Sequence, residues 1–286
     1  MRFVAFRGDG GSPAVGLRVG DEVVDLTAQG LPAALSALIA QGDAGLAAAG
    51  AALQRARSRL RRDAIACLPP LVPGKAIAVG LNYVDHAAES PYKSAPTYPV
   101  LFQRYPQSWV AHGEDLVRPH VSEQFDYEGE MVAVIGKPGR YIAKAQALSH
   151  VAGYSIFNDG SIRDYQFKST QWMMGKNFDA TGAFGPEVVT ADELPEAARG
   201  LTLRTRLSGR ELQNANTRDM IFDVPTLVAV CSEAMTLHPG DIIISGTPSG
   251  VGFARKPPLF MKAGDVCEVE IEGIGVLRNR VVDERR

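Results

Sequence analysis

The chain has 286 residues, of which 45% are hydrophobic and 22% charged, and its formal net charge is -2. This is the composition of an ordinary soluble globular protein, with chain enough for one large domain or a large and a small one. A nucleic-acid or anionic-membrane partner has no support in that charge, and no apolar run approaches the ~20 residues that cross a bilayer. The opening Met1–Phe6 is too short for a signal-peptide core. Cys67, Cys231 and Cys267 are far apart and odd in number. They argue against a disulfide framework or zinc knuckle and predict a reducing cytoplasm, with the thiols as small buried hydrophobes.

In chain order, Phe3–Phe6, Ala14–Val19 and Glu22–Leu26 read as short strands between glycine-rich turns. From Leu31 to about Leu68 the pattern is helical, broken near Gly42–Gly45, and Arg55, Arg59 and Arg62 fall on one helical face. Residues 1–70 thus read as a small α/β N-terminal domain, with Pro69–Gly74 as linker and 71–286 as the main domain. Ala76–Gly80 is a compact strand. Behind it, Asp85, His86 and Glu89 suggest one helical turn, with His86 and Glu89 three residues apart on the same side. That pair is either a surface ion pair or a carboxylate orienting an imidazole for general-base work. Val100–Phe102 is another strand, with Arg104 just past its end.

Asp126-Tyr127-Glu128-Gly129-Glu130 places a carboxylate at every second position, ahead of the buried-strand pattern Met131–Ile135. Side chains alternate along a strand, so the three acids should share a face. Like charges entering a core repel and are costly to desolvate, a cost that a hard divalent cation removes. The other reading is a wet strand end. Ala152–Phe157 is a strand ending in Asn158-Asp159-Gly160, where Asp159 can serve as ligand or as helix cap. Lys176 stands among glycines and large apolar residues, an unusual setting for a lysine. Further on, Leu201–Leu207 and Arg210–Gln213 form a hairpin turned at Ser208-Gly209, and Asp223 caps a helix from Val224 to about Leu237. Ile242–Ile244 is a strand, and Gly246–Gly252 a glycine-rich turn without the Lys-Ser/Thr of a P-loop. Val266–Ile271 and Gly275–Val282 close the chain as a hairpin. This strand-rich order suits a mixed-sheet sandwich or roll rather than a doubly wound fold.

Six stretches resemble, in order, the fumarylacetoacetate hydrolase family. They are Val79–Tyr83 with His86 and Glu89, Asp126–Glu130, Asn158-Asp159 with Arg163, Asp164 and Gln166, Gly175–Asp179, Asp219–Asp223, and Gly246–Gly252. Together they span about residues 74–282, while residues 1–70 match loosely the small N-terminal domain of longer bacterial members. The resemblance implies an α+β, mainly β fold: a mixed β-sandwich roll, dimeric, with one divalent metal per subunit. Mg²⁺ is the expected ion, with Mn²⁺ or Ca²⁺ as alternatives. By position, the metal ligands are Glu128, Glu130 and Asp159, leaving Asp126 farther out. Lys176 is implied beside the substrate's oxygens with Gln166 nearby, and His86 with Glu89 as a water-activating dyad on a lid from about Asn82 to Pro96. Gly246, Thr247 and the neighbouring N–H groups are implied to hold the substrate carboxylate. Arg104 stands where many members have a lysine, which favours bidentate carboxylate binding.

The implied activity is hydrolysis of a C–C bond in a β-diketo acid, an acylpyruvate or 2,4-dioxo acid, through a metal-stabilised enolate. The same groups could serve a decarboxylase of oxaloacetate type or an isomerase of 2-oxo diacids. A catalytically silent metal- and carboxylate-binding protein is the reading from a different class.

Overall fold

The run Gly129–Ile135 forms a strand whose residues are all buried. The computed structural model describes residues 1–89 and 96–285. Met131, Ala133 and Ile135 pack into one apolar cluster, and Val132 and Val134 into a second on the opposite face. A strand covered on both faces needs an unbroken apolar run, not an alternating one. Its antiparallel neighbours are Val151–Asn158 and Ile242–Ile244. Ile242–Ile244 in turn pairs in parallel with Ala76–Gly80, which pairs antiparallel with Val100–Gln103. The sheet is therefore mixed, as expected.

A second sheet of five strands contains the hairpin Thr202–Leu207/Arg210–Asn216 and the hairpin Val266–Ile271/Gly275–Asp283. Leu203, Val269, Ile271 and Leu277 from it meet Met131, Ala133 and the helix Val224–Ala234 in the first cluster. Asp223 caps that helix by accepting from the Thr226 N–H at 3.0 Å. The architecture is thus α+β and mainly β, two facing sheets with helices at their margins.

The N-terminal strands Arg2–Arg7, Pro13–Val19 and Glu22–Asp25 continue the large sheet, because Arg2 and Phe3 pair with Val189 and Val188. The expected boundary near residue 70 therefore lies between segments that share one sheet. The join is also ionic. Glu187, fully buried, accepts from Arg18 Nε at 2.6 Å and Nη2 at 2.8 Å, and from Arg2 Nη1 at 3.0 Å. The helical pattern ends earlier than expected. Helices cover Leu35–Ile39 and Asp43–Arg55, and Leu60–Arg61 is instead an edge strand paired with Glu22-Val23. Arg59 lies outside any helix and Arg62 opens a separate 3-10 turn, Arg62–Ala64, so neither shares a helical face with Arg55. The arginine-rich stretch after Arg55 offers no apolar stripe to bury, so tertiary pairing overrides helix propensity.

Replacing Glu187 by Ala leaves two arginines without their buried partner, a loss that costs about 3–5 kcal/mol when a buried pair is broken. Denaturant unfolding should show a loss of that order. A change under ~1 kcal/mol, the range of exposed ion pairs, would mean that the backbone pairing alone holds the N-terminal strands.

Candidate active site

Three strand ends bring the acids together. Gly129–Ile135 pairs with Val151–Asn158 so that Gly129 faces Asn158. The Asp159 N–H donates to the Glu128 carbonyl at 2.8 Å, and the Glu128 N–H to Asn158 Oδ1 at 3.0 Å. These bonds set Glu128, Glu130 and Asp159 side by side, with carboxylate oxygens all within 4.8 Å of one another and all three residues buried. Asp126 belongs to a separate two-residue strand, Phe125–Asp126, paired with Ser161-Ile162. It stands one step back and accepts from the N–H groups of Gly252 at 2.7 Å and Phe253 at 3.0 Å and from Arg163 Nε at 2.9 Å.

The cations are equally ordered. Lys176, at the end of the short helix Met173–Lys176, reaches Glu128 Oε2 and Asp159 Oδ2, both at 2.6 Å. Its ammonium also lies 5.1 Å from the Phe102 ring centre. Arg163 spans Asp126 and Glu128, the latter through Nη2 at 2.6 Å, and donates to Gln166 Oε1 at 2.8 Å. Its guanidinium lies over the Phe253 ring. Arg104, expected as a substrate contact, is turned toward the protein interior. Its guanidinium is fully buried and donates to Asp159 Oδ1 at 2.8 Å, the Gly160 carbonyl at 3.0 Å and Ser108. With its donors committed to protein acceptors, Arg104 anchors Asp159 from behind and does not line the cavity. Gly182 makes room for it, since a Cβ there would meet Arg104 Nη2 at 2.4 Å.

Four carboxylates (Asp126, Glu128, Glu130, Asp159) therefore face three cations (Arg104, Arg163, Lys176), an excess of one negative charge among the described residues. Burial opposes ionisation of Glu128, but Lys176 and Arg163 outweigh it and hold the carboxyl down to about 2. Glu130 goes the other way. Burial, then Asp159 and Glu128, raise its pKa well above the ordinary range, even though the Gly246 N–H donates to it at 2.5 Å. The donor set fits a divalent cation: all-oxygen, converging, and short of positive charge.

Glu128 and Glu130 open on a small cavity also lined by His86, Gln166, Lys176 and Thr247. Its aromatic walls are Phe102, Phe167, Trp172 and Phe253. His86 lies on the helix Val84–Glu89 and is buried, and its Nδ1 has no hydrogen-bond partner among the described residues. Glu89 Oε2 stands 3.9 Å from that nitrogen, too far for a hydrogen bond. Instead both carboxylate oxygens of Glu89 accept from the Gly250 N–H at 3.0 Å. The expected lid, Asn82 to Pro96, lies partly outside the described residues, which omit 90–95. Gly246 spends its N–H on Glu130. The Thr247 hydroxyl donates to the Gly129 carbonyl at 3.0 Å and accepts from Gln213 Nε2 at 2.8 Å. Gln213 and the structural use of Arg163 escape a sequence reading. Gln213 lies on a strand of the far sheet, and nothing local to it announces chemistry.

Buried acids held this closely, with perturbed ionisation and a cavity beside them, mark an enzyme site. The chain belongs to the fumarylacetoacetate hydrolase family: the family model for the fumarylacetoacetate (FAA) hydrolase C-terminal region matches residues 75–282. It is 39% identical, over 290 residues, to the mitochondrial oxaloacetate tautomerase fahd2 of Xenopus laevis, covering 99% of this chain and 90% of that protein. The solved fumarylacetoacetate hydrolase from psychrophilic Exiguobacterium antarcticum superposes with a TM-score of 0.86 at 37% identity, over 99% of this chain and 100% of that one. The maleylpyruvate hydrolase from Sphingobium sp. SYK-6, solved with manganese(II) and pyruvate, gives a TM-score of 0.84 at 29% identity, with both chains covered in full.

Arg104→Met would leave Asp159 buried with one cation fewer, so a stability loss of about 3 kcal/mol or more is expected from urea unfolding. A loss below ~1 kcal/mol would show that Asp159 does not depend on this anchor.

Proposed function

We propose that this enzyme is divalent-metal-dependent and interconverts the keto and enol forms of a 2-oxo dicarboxylic acid of the oxaloacetate type. The observation that carries the reading is the buried carboxylate trio with Lys176 at 2.6 Å from two of its members, beside a cavity that Glu128, Glu130 and Lys176 line together with His86. Similarity to an oxaloacetate tautomerase along 99% of the chain supports the substrate class. Glu128, Glu130 and Asp159 would hold the cation, Mg²⁺ or Mn²⁺, which when bound supplies a Lewis acid for the carboxylate and keto oxygens of a 2-oxo acid.

The chain's own groups do the rest. His86 takes a proton from C3 of the keto acid, and the electron pair of that C–H bond becomes the C2–C3 double bond. Negative charge then grows on the C2 oxygen, where the Lys176 ammonium stabilises it in a site with little water. Protonation of that oxygen gives the enol, so one C–H bond is exchanged for one O–H bond and no water is consumed. This route asks for one acid–base imidazole. It does not ask Glu89 to leave the Gly250 N–H.

A second reading is the hydrolytic one: C–C cleavage of an acylpyruvate or 2,4-dioxo acid by water that His86 and Glu89 activate. Similarity to a maleylpyruvate hydrolase favours it, and Glu89, 3.9 Å from His86 Nδ1, would first have to leave the Gly250 N–H. Decarboxylation of oxaloacetate would use the same site without the water.

The readings separate in one set of assays with Mg²⁺ or Mn²⁺. Tautomerisation is followed by loss of the oxaloacetate enol absorbance, hydrolysis by loss of acylpyruvate, and decarboxylation by CO₂. The expected result is enol conversion faster than either cleavage. Acylpyruvate cleavage without enol conversion would replace the first reading by the second. His86→Ala should lower turnover by ~10²–10⁴-fold, the usual worth of general acid–base catalysis, while Mn²⁺ still binds. Glu128→Ala and Glu130→Ala should lose Mn²⁺ binding, and undiminished affinity in either would contradict the ligand assignment.

A further inference from the structure

Asp219–Asp223 is one of the stretches that carry the family resemblance, yet none of its residues lines the cavity. Its backbone holds a different part of the site. The strand Ala76–Gly80 runs parallel to Ile242–Ile244, then turns sharply at Leu81, whose φ is 58°, into the helix Val84–Glu89. That helix has under two turns, too few to hold itself, so its direction depends on anchors outside it.

Asn82 is the anchor at its root, and it is fully buried. Its Oδ1 accepts from the Phe222 N–H at 2.7 Å, and its Nδ2 donates to the carbonyls of Phe222 at 3.0 Å and Ser245 at 2.7 Å. The directions are forced. A backbone N–H can only donate, so the oxygen faces Phe222 N, and the two carbonyls take both amide protons. The Asn82 carbonyl accepts from the Ile221 N–H at 2.8 Å, and Tyr83 pairs with Met220 in an antiparallel bridge. Residues 220–222 are fixed in turn, because Asp223 caps the helix Val224–Ala234 through the Thr226 N–H. At the far end of the His86 helix the tie is Glu89 to the Gly250 N–H, and the Glu89 side chain is 30% exposed. Water competes for that tie but not for the buried amide of Asn82.

We propose that Asn82 is a positioning residue for His86: bound to the backbone of Phe222 and Ser245, it fixes the root of the helix and so the place of the imidazole in the cavity. Holding that root is the task of the stretch Asp219–Asp223. This rests on the acid–base role given to His86 above. A reacting group misplaced by about 1 Å loses on the order of 10²-fold in rate.

The test compares Asn82→Ala, His86→Ala and the double variant at saturating Mn²⁺, in whichever of the three assays above the wild type turns over, together with amide hydrogen exchange of the metal-free proteins. Asn82→Ala should lower kcat by about 10²-fold. It should also speed exchange over Val84–Glu89 by about tenfold or more, with the strand Gly129–Ile135 unchanged. Once the imidazole is gone there is nothing left to misplace, so the double variant should turn over as His86→Ala does alone. A general folding role would instead add its loss to that of His86→Ala and speed exchange in the central strand as well. Either of those results overturns the proposal, as does wild-type kcat in Asn82→Ala. Asn82→Ser makes the same comparison if the alanine variant does not fold. Wild-type turnover in His86→Ala, with Asn82→Ala still impaired, would instead bring down the acid–base reading of His86, and this proposal with it.

Discussion

Like charges forced together out of water are the constraint on which the rest of this structure depends. Four carboxylates are buried within one neighbourhood, and Coulomb repulsion there is far stronger than at a wet surface. Each is made tolerable by a different device. Asp126 has three backbone N–H donors, two from residues 252–253 and one from its neighbour Tyr127, together with Arg163 Nε. Glu128 has Lys176 and Arg163, and Asp159 has Lys176 and Arg104. Glu130 has no ion pair among those described, only the Gly246 N–H, and it is the one whose carboxyl is pushed upward. The acid without an ion-pair partner thus sits at a definite place, where a bound cation would take over from its proton.

The fold delivers these devices from distant parts of the chain. Arg104 follows an outer strand of the large sheet, Arg163 and Lys176 come from two short helices after the strand Val151–Asn158, and Gln213 comes from the opposing sheet. None of them would assemble without the strand pairing that places Gly129 opposite Asn158. Side-chain bulk is removed where these elements converge. Gly129 lets the second sheet reach the ligand strand, and Gly182 admits the Arg104 guanidinium. The apolar clusters on both faces of the large sheet then keep the strand ends rigid against the repulsion they carry.

Much of this was legible in the sequence because it is written in local patterns. The alternating acids at Asp126–Glu130, the strand end at Asp159 and the isolated Lys176 each carry their own signal. So do the caps and hairpins, including Asp223 and Ser208-Gly209. The rest was not legible, because it depends on what a residue meets across the fold. The resemblance to the family implied Arg104 as a substrate cation, yet its direction is set by Asp159, 55 positions later. Gln213 carries no signal at all, since a buried glutamine in a strand is defined only by the partners it finds. The residues after Arg55 kept a helical composition but lacked the apolar stripe that would have anchored a helix, and the sheet edge took part of them. Alternation placed Asp126 with Glu128 and Glu130, but the strand is interrupted between them.

Glu89 holds the two readings of the chemistry apart. One carboxylate has two candidate partners, the His86 imidazole and the Gly250 N–H, and here it takes the second. Gly250 is suited to that task because its backbone lies at φ 100° and a Cβ would meet the Leu212 carbonyl at 2.3 Å. The turn can therefore present a bare N–H toward the helix only with glycine there. While Glu89 stays on the turn, His86 Nδ1 has no carboxylate hydrogen-bonded to it among the described residues. Proton transfer at a carbon already made acidic by its neighbours asks less of the base than activating water does. The proposed enolisation would leave Glu89 on Gly250, whereas hydrolysis by a His86–Glu89 pair would need that carboxylate to change partners.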